Sequence, residues 1–489
     1  MATVSDLWTA GLRWAEAWRT PDRRRTILGL GALVLLFALV QVVRPPDGAP
    51  SADVRQYVDM ACNLARTGTF AETGDDGTAH RTARREPGWP LLLSIPIALD
   101  PALRSLPSAQ VVDLFDAKAN PTHARPTSLR LPGLILLLAS GLVAGLIAAR
   151  AAGHGLAALP AFLLVSFNPT LSHYADGCYQ EALTAPLLLA TSLALMRAAQ
   201  RPGPWPAALA GLAWAALSLT SARFLYLLPI PLAVLAWSAW RSSGPALRRH
   251  CAVVCFSVAV AAPVGAWMAR NQQAVGEAVV SLRGGRLLAI RASYDTMDGR
   301  EYLACMLHRD SSKSRPIDAL GRRLLGNDAF ARLARDNPDG FYFKGKFGGP
   351  RTAVDTAGLS EEEAEAAVDR ALEREAKAAI MAAPVKHLVV TLPLAMYGTP
   401  SVLAPLGPLN LLCFPLLLWA LWWSRRPGRR WLLWILLPTA GSVAFCCLLT
   451  HNISRYNAIA IPAIAIALTV GAWTLATWWT GRRSTTTAT

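Results

Sequence analysis

Long apolar runs, separated by short stretches that carry arginine, dominate the pattern of this chain. The first covers residues 27–43, and others follow at 129–149, 156–167, 182–196, 205–219, 224–240, 251–269, 402–423, 431–449 and 458–479. About 20 apolar residues in a helix cross a hydrocarbon core of roughly 30 Å, so the pattern predicts about ten spans. The polar remainder gathers mainly in two stretches, 44–128 and 270–400.

The arginines between the runs indicate how the spans alternate, because short cytoplasmic loops are enriched in Lys and Arg. With Arg23, Arg24 and Arg25 inside, one parity also leaves Arg150, Arg197, Arg201, Arg241, Arg248, Arg249, the cluster at 425–430, Arg482 and Arg483 inside. That parity requires the apolar piece 88–103 not to cross. Its shortness and its prolines, Pro90, Pro96 and Pro101 just after Pro87, suit a non-spanning or re-entrant segment. The outer face then receives 44–128, 168–180, the turn around Arg223, 270–386 and 450–457.

Residues 27–43 are long for the apolar part of a signal peptide and are expected to remain as an anchor. Upstream, Trp8, Trp14 and Trp18 mixed with Arg13 and Arg19 suit a helix lying at the cytoplasmic interface. The expected organisation is an interfacial segment 1–25, a first transmembrane helix 26–43, an outer loop 44–128 with amphipathic and re-entrant helices, and a transmembrane bundle 129–269. An outer insert of mixed character at 270–400, C-terminal spans at 401–480 and a cytoplasmic tail at 481–489 complete it. Within the insert, Ser360 followed by Glu363 predicts a capping box and a helix running to the break at Pro384. Its many charges read as a solvated face. The stretch 387–400, interrupted by Pro393, reads as a surface or re-entrant helix.

Composition agrees with this picture and narrows it. Of 489 residues, 53% are hydrophobic and 16% charged, and the mean hydropathy is +0.32. The formal net charge of +16 would suggest nucleic acid in a soluble protein. Here the arginines sit in the short runs that orient spans, so no nucleic-acid partner is expected. Eight cysteines occur without a CxxC pair, implying neither a disulfide framework nor a zinc site. There is no P-loop, HExxH, GxSxG or DxD motif, and Asp75 and Asp76 lie in a Gly-flanked loop.

Three polar constellations fall at the outer ends of the apolar runs. In DVRQYVDMACNLARTGTF, Asp53 and Tyr57 are four apart and share a helix face, Asp59 turns partly away, and Arg55 and Arg66 are near. A carboxylate at a membrane boundary beside an arginine can stay ionised and take a proton from an acceptor. Asp53, close behind Pro50 and Ser51, could equally cap the helix, and residue chemistry by itself favours the cap. In SFNPTLSHYADGCYQEALTAPLLL, His173, Tyr174 and Asp176 lie between two spans, and Glu181 opens the second. The helix dipole favours an acid in a first turn, whereas deep placement would cost about 2.5 kcal/mol or more and imply function. The third constellation is Arg223, Arg270 and Arg455, single arginines at outer span ends, where such residues are disfavoured. Together they call for an anion such as a lipid phosphate.

DVRQYVDMACNLARTGTF followed by RREPGWPLLL, then NPTLSHYADGCYQEAL, WMARNQQAVGEAVVSLRGG and SRYNAIAIP, resemble in that order the GT-C superfamily of membrane glycosyltransferases. The similar branch holds the protein mannosyltransferases and the aminoarabinose-lipid A transferases. The resemblance implies an all-α polytopic membrane fold, a GT-C-like bundle of about 10 (range 10–13) helices with a periplasmic first loop and a mixed periplasmic insert. It implies a multi-pass inner-membrane enzyme that moves a sugar from a polyprenyl-phosphate donor to a lipid, glycan or protein acceptor at the periplasmic face, with inversion. In it Asp53 would activate the acceptor, Tyr57 matches the following aromatic, and Arg223, Arg270 and Arg455 would lie near the carrier phosphate.

Val54 stands where many relatives have a second acid, so that role would fall to Asp59, to Glu86 or to no residue; Glu86 also precedes Pro87 where relatives often have Pro-Pro. The expected catalytic set is Asp53, Tyr57, Asp59 and Glu86. The expected substrate-binding set is Arg55, Arg85, Glu181, Arg223, Arg270, Asn271, Arg455 and Tyr456. No visible motif requires a cofactor, which leaves a divalent cation open. The alternatives are a polysaccharide polymerase or ligase, and a lipid-linked sugar transporter or flippase. A transporter would place ionisable residues near mid-span in two similar halves.

Overall fold

The computed structural model describes residues 21–43, 51–74, 76–114, 126–201, 203–241, 246–308, 315–348, 354–403, 410, 412–426 and 429–486. Trp8, Trp14, Trp18 and the last residues of the tail lie outside them. The chain is an all-α polytopic membrane protein, in which the described β-structure is one two-stranded antiparallel hairpin.

In chain order, α1 (Pro21–Val43) leads to α2 (Ala52–Thr67), then the hairpin of β1 (Ala71–Thr73) and β2 (Ala79–Arg81), then α3 (Gly88–Leu99). The first bundle follows as α4 (Thr127–Ala152), α5 (Ala158–Ser166), α6 (Pro169–Asp176), α7 (Glu181–Gln200), α8 (Pro204–Thr220), α9 (Pro229–Arg241) and α10 (Ala246–Val275). The insert holds α11 (Gly284–Ser293), several short helices, α12 (Phe341–Phe347), α13 (Glu361–Ala382) and α14 (Pro384–Tyr397). The chain closes with α15 (Cys413–Trp423), α16 (Leu433–Leu449) and α17 (Ile461–Thr486).

Each apolar run of the sequence carries a helix, but they differ in reach. Among the described residues, six helices are long and apolar enough to cross a membrane, or up to eight if the bent pairs α5/α6 and α13/α14 each count as one span. The others are shorter: α8 has 17 residues, α9 has 13 and α15 has 11. The piece expected not to cross, α3, has 12 residues. At 1.5 Å per residue that is about 18 Å, too short for the hydrocarbon core. Its Leu91, Ile95 and Leu99 are exposed on one face while Trp89, Leu93 and Ile97 are buried on the other, and Trp89 Nε1 donates to the Cys178 carbonyl at 2.6 Å.

The core is closed by small residues and aliphatic side chains. A side chain at Gly133 or Gly141 of α4 would collide with the Ala175 carbonyl or with Ser166, so these glycines let α4 approach α5 and α6 closely. Ile461, Ala463, Ile464, Ala465, Ile466 and Val470 bury α17 in the centre, while α1 leaves Leu28, Leu35, Leu39 and Val42 exposed as a lipid-facing surface.

The insert departs from expectation in one respect. Ser360 and Glu363 do form the reciprocal cap that starts α13. Its acids, however, are not all a solvated face. Glu365 pairs with Arg84 at 2.5 Å and Arg286 at 3.3 Å, Glu361 pairs with Arg84 at 3.1 Å, and Asp369 accepts from the backbone N–H groups of Gly285 and Arg286. Helical periodicity put these acids on one face without showing that the face meets the first loop and α11. At the other end, α14 turns 103° from α13 and packs Val390, Leu394 and Tyr397 with Ile290, Tyr294 and Phe341. Fully buried Arg291 donates to Asp295 at 2.6 Å and to the His387 carbonyl at 2.6 Å, which ties α11 to α14 within the insert.

Candidate active site

The site is assembled on the first turn of α2. Ser51, not Asp53, caps that helix: its side chain accepts from Val54 N at 3.4 Å, and Gly68 closes the far end with φ 68°, a left-handed conformation that suits glycine. Asp53 is therefore left free to pair with side chains. Its Oδ1 accepts from Arg85 Nη2 and, at 3.1 Å, from Arg283 Nη1, while its Oδ2 accepts from Arg455 Nη1 at 2.7 Å. Gln56, about one helical turn further along α2, accepts from Arg85 Nε at 2.8 Å and Arg283 Nη2 at 2.7 Å, fixing both guanidiniums.

Two further acids, four tyrosines and one histidine complete the surroundings. Arg455 bridges to Glu181, its Nε lying 2.8 Å from Oε1, and stacks 4.8 Å from the centre of the Tyr179 ring. Glu181 is 1% exposed in the first turn of α7, and its Oε2 is buried without a hydrogen-bond partner. Glu86 accepts from Ala222 N at 3.2 Å and acts electrostatically on both Tyr57 and Arg85. Arg85 lies 4.9 Å over the Tyr57 ring, whose hydroxyl donates to Gln180 at 2.7 Å. Arg223 lies 5.7 Å over the Tyr456 ring and donates to the Tyr456 carbonyl at 2.9 Å, to Ser221 at 2.9 Å and to Cys446 Sγ at 3.1 Å. None of those partners is an acid. His451 packs against Tyr456 at 5.4 Å and Tyr342 at 5.3 Å.

Electrostatics follow from this crowding. Burial would raise the Asp53 carboxyl, but Arg85, Arg455 and Arg283 outweigh it and hold it well below the usual carboxylate range. Burial lifts the Tyr57 phenol above its ordinary range against the pull of Arg85, with Glu86 and Asp53 adding to the rise. His451 is drawn down to about 3, first by burial and then by Arg335, Lys346 and Arg455. The resting site thus holds an ionised Asp53, a neutral Tyr57 and a neutral His451 at neutral pH.

Of the residues expected from sequence, the structure brings together Asp53, Tyr57, Glu86, Arg85, Glu181, Arg223, Arg455 and Tyr456. Four others are placed differently. Asp59 accepts from Thr73 N at 2.6 Å and Thr73 Oγ1 at 2.7 Å, pinning the hairpin to α2. Arg55 is on the exposed side of α2, turned from Asp53 by the helical period. Arg270 donates to the Thr82 carbonyl at 2.5 Å and to the Phe70 carbonyl, and its guanidinium lies against the Phe70 and Trp267 rings. Asn271 is buried and donates to the Val279 carbonyl at 2.8 Å. Both hold loops because α10 runs on to Val275, leaving them in its last turns. Asp176, named beside Glu181, pairs with Arg130.

Sequence reasoning missed Arg283, Gln56 and His451. Arg283 stands in the SLRGG stretch with Arg286 and Arg291 close behind, and no local signal separates the one that reaches Asp53 from the ones that bind Glu365 and Asp295. Among the described residues, no group of three or more His, Cys, Asp or Glu side chains is arranged to hold a metal ion.

Fold and site thus define a polytopic helical membrane protein with an arginine and carboxylate cluster at one end of its helices. Comparison with protein-family models and with curated proteins gives no match. Among solved structures, the chain is similar to the archaeal oligosaccharyltransferase AglB from Archaeoglobus fulgidus, in complex with an inhibitory peptide and a dolichol-phosphate. The TM-score is 0.44 at 11% identity, over 95% of this chain and 52% of that one. It is also similar to ArnT from Cupriavidus metallidurans in the apo state, with a TM-score of 0.34 at 16% identity over 90% of this chain and 78% of that one. The chain spans about half the length of the archaeal protein.

Proposed function

We propose that this chain is an inverting membrane glycosyltransferase of the GT-C type. It moves a sugar from a polyprenyl-phosphate donor to an acceptor at the periplasmic face of the inner membrane. The observation that carries this reading is the grip of Arg85, Arg283 and Arg455, from three distant parts of the chain, on the single carboxylate of Asp53. With Arg223 close by, guanidiniums outnumber the carboxylates of Asp53, Glu181 and Glu86, and such a cluster suits a phosphate.

In this reading the donor phosphate and Asp53 are alternative partners for the same guanidiniums. While they hold Asp53, it is too weak a base to act. A phosphate that draws Arg85, Arg283 and Arg455 away raises its proton affinity, so the base is armed only when donor is bound. Asp53 then takes the proton of the acceptor hydroxyl or amine as its oxygen or nitrogen bonds to the anomeric carbon. The bond from that carbon to the phosphate oxygen breaks on the opposite face, its electron pair leaves with the phosphate, and the guanidiniums stabilise the charge that develops there. The free oxygen of Glu181 is suited to accept a hydrogen bond from a sugar hydroxyl.

The test is purified protein in lipid nanodiscs, with geranyl phosphate as the carrier probe. The donor sugar is first identified by mass spectrometry of envelope lipids, glycans and proteins with and without this chain. Asp53→Asn and Asp53→Ala should lose transfer while still binding geranyl phosphate. Full transfer by both variants overturns the role of Asp53, and no binding of geranyl phosphate by the unaltered protein overturns the donor class.

A further inference from the structure

The insert carries a second concentration of positive charge that the Asp53 cluster does not use. Lys346 Nζ lies 5.4 Å from the centre of the Tyr342 ring, and the Arg335 guanidinium lies 5.4 Å from the same centre. Beneath Tyr342 is His451, whose ring centre is 5.3 Å away and which is 4% exposed. Its Nδ1 is buried with no hydrogen-bond partner. Buried polar atoms are ordinarily satisfied, so an orphan on an imidazole beside two cations marks a place for a ligand atom. Phe347 and Tyr342 flank Lys346, and Lys344, two positions away, is by contrast exposed and paired with Asp339 at 3.1 Å.

His451 also packs edge-on against Tyr456, which adjoins Arg455 in sequence and lies under Arg223. The insert's basic group and the Asp53 cluster are therefore joined through the edge-to-face contacts of Tyr342, His451 and Tyr456. We propose that Lys346, Arg335 and His451 form an anion site that holds a phosphate group carried by the acceptor. There Lys346 and Arg335 would supply charge and His451 a hydrogen-bond donor from Nδ1. That the anion belongs to the acceptor rests on the transferase reading; the existence of the site does not. It gives the insert a role in selection: an acceptor anchored at Tyr342 would have its nucleophile directed toward Asp53, and an uncharged analogue would lack the anchor.

The experiment reads the acetylation of lysines by an amine-reactive ester, quantified by peptide mass spectrometry, in the full chain in phosphatidylcholine nanodiscs. Glycerol 3-phosphate is the probe and glycerol its uncharged control. The expected result is protection of Lys346 but not of Lys344 by glycerol 3-phosphate, and of neither by glycerol. Arg335→Gln, at a half-exposed position, should shift half-protection to about tenfold higher probe. His451→Gln should do likewise, and its melting curve reports whether it folds. Equal protection of both lysines, no protection, or an unchanged midpoint in Arg335→Gln overturns the site. Protection that needs no probe once phosphatidylglycerol replaces phosphatidylcholine overturns the acceptor assignment in favour of a lipid headgroup. Geranyl phosphate binding is followed in the same samples. If it persists while Lys346 is unprotected, only this inference fails; if it is absent throughout, the transferase reading fails.

Discussion

Arg455 and Asp53, 402 positions apart in the chain, meet with Nη1 2.7 Å from Oδ2, and the same guanidinium turns its Nε to Glu181 at 2.8 Å. One arginine near the C-terminal end of the chain thus connects α2 to the start of α7. Removing it leaves two carboxylates facing each other, one of them buried. Arg455→Gln is expected to lower the melting temperature and to weaken geranyl phosphate binding together. Breaking a buried pair from one side costs about 3–5 kcal/mol, to be read from denaturant unfolding. A variant with unchanged melting and unchanged binding would contradict the assembly described.

Asp53→Asn separates occupancy from chemistry. The amide cannot compete for Arg85, Arg283 and Arg455 as a carboxylate does, so geranyl phosphate should bind this variant at least as tightly as the unaltered protein. Transfer should fall by about 100-fold or more, the usual scale of a lost general base. Weaker binding in Asp53→Asn would show that Asp53 and phosphate do not share the guanidiniums.

Arg223 and Arg270 look alike in sequence and should behave differently. Arg270→Gln breaks its bonds to the Thr82 and Phe70 carbonyls, and is expected to destabilise the first loop by about 1–3 kcal/mol with no change in phosphate affinity. Arg223→Gln removes a guanidinium whose described hydrogen-bond partners are uncharged, and should weaken geranyl phosphate binding with little change in melting temperature. Isothermal titration beside thermal melting distinguishes the two. Asp59→Asn belongs with Arg270, because it loosens the grip on Thr73 and leaves the Asp53 contacts in place.

The histidine under Tyr342 gives the resting protein a pH dependence whose sign is set by burial. The folded value of His451 is about 3 against an ordinary 6.5. Between those values the unfolded chain binds a proton that the folded chain does not, so stability falls as pH drops from about 6.5 toward 3. Arg335, Lys346 and Arg455 press in the same direction and Asp53 opposes them. Asp53 itself, held low, contributes stability that is present above the ordinary carboxylate range, about 3.9, and is lost only at more acid pH. The melting temperature should therefore decline below about 6.5, and the slope between pH 6 and 4 should be smaller in His451→Gln, by differential scanning fluorimetry.

His387 offers a test of how the insert is seated. Its Nδ1 lies 2.6 Å from Asp295 and its Nε2 2.8 Å from the Leu448 carbonyl, so it joins the insert to the end of α16. His387→Ala should raise amide hydrogen exchange in 284–397 before any global unfolding, with a local cost of about 1–3 kcal/mol. Exchange confined to α16 would place the loss elsewhere.

Much of the architecture could be read from residue order alone. Runs of apolar residues long enough for a membrane can only be helices there, because lipid offers backbone groups no other partner, and each expected run carries one. Local chemistry also specified the Ser360 and Glu363 cap and the shortness of the Pro-bearing helix at 88–99. The same chemistry could gather acids and arginines at the ends of the runs, since charges are excluded from their middles. It could not say which would pair. Arg283 rather than Arg270 reaches Asp53, Ser51 rather than Asp53 caps α2, and Asp59 serves a hairpin. The Arg283 and Arg270 contacts join segments 230 and 188 residues apart, out of reach of any local pattern. Periodicity dictates which face of a helix is buried, but only the packed structure brings that face against one neighbour and not another.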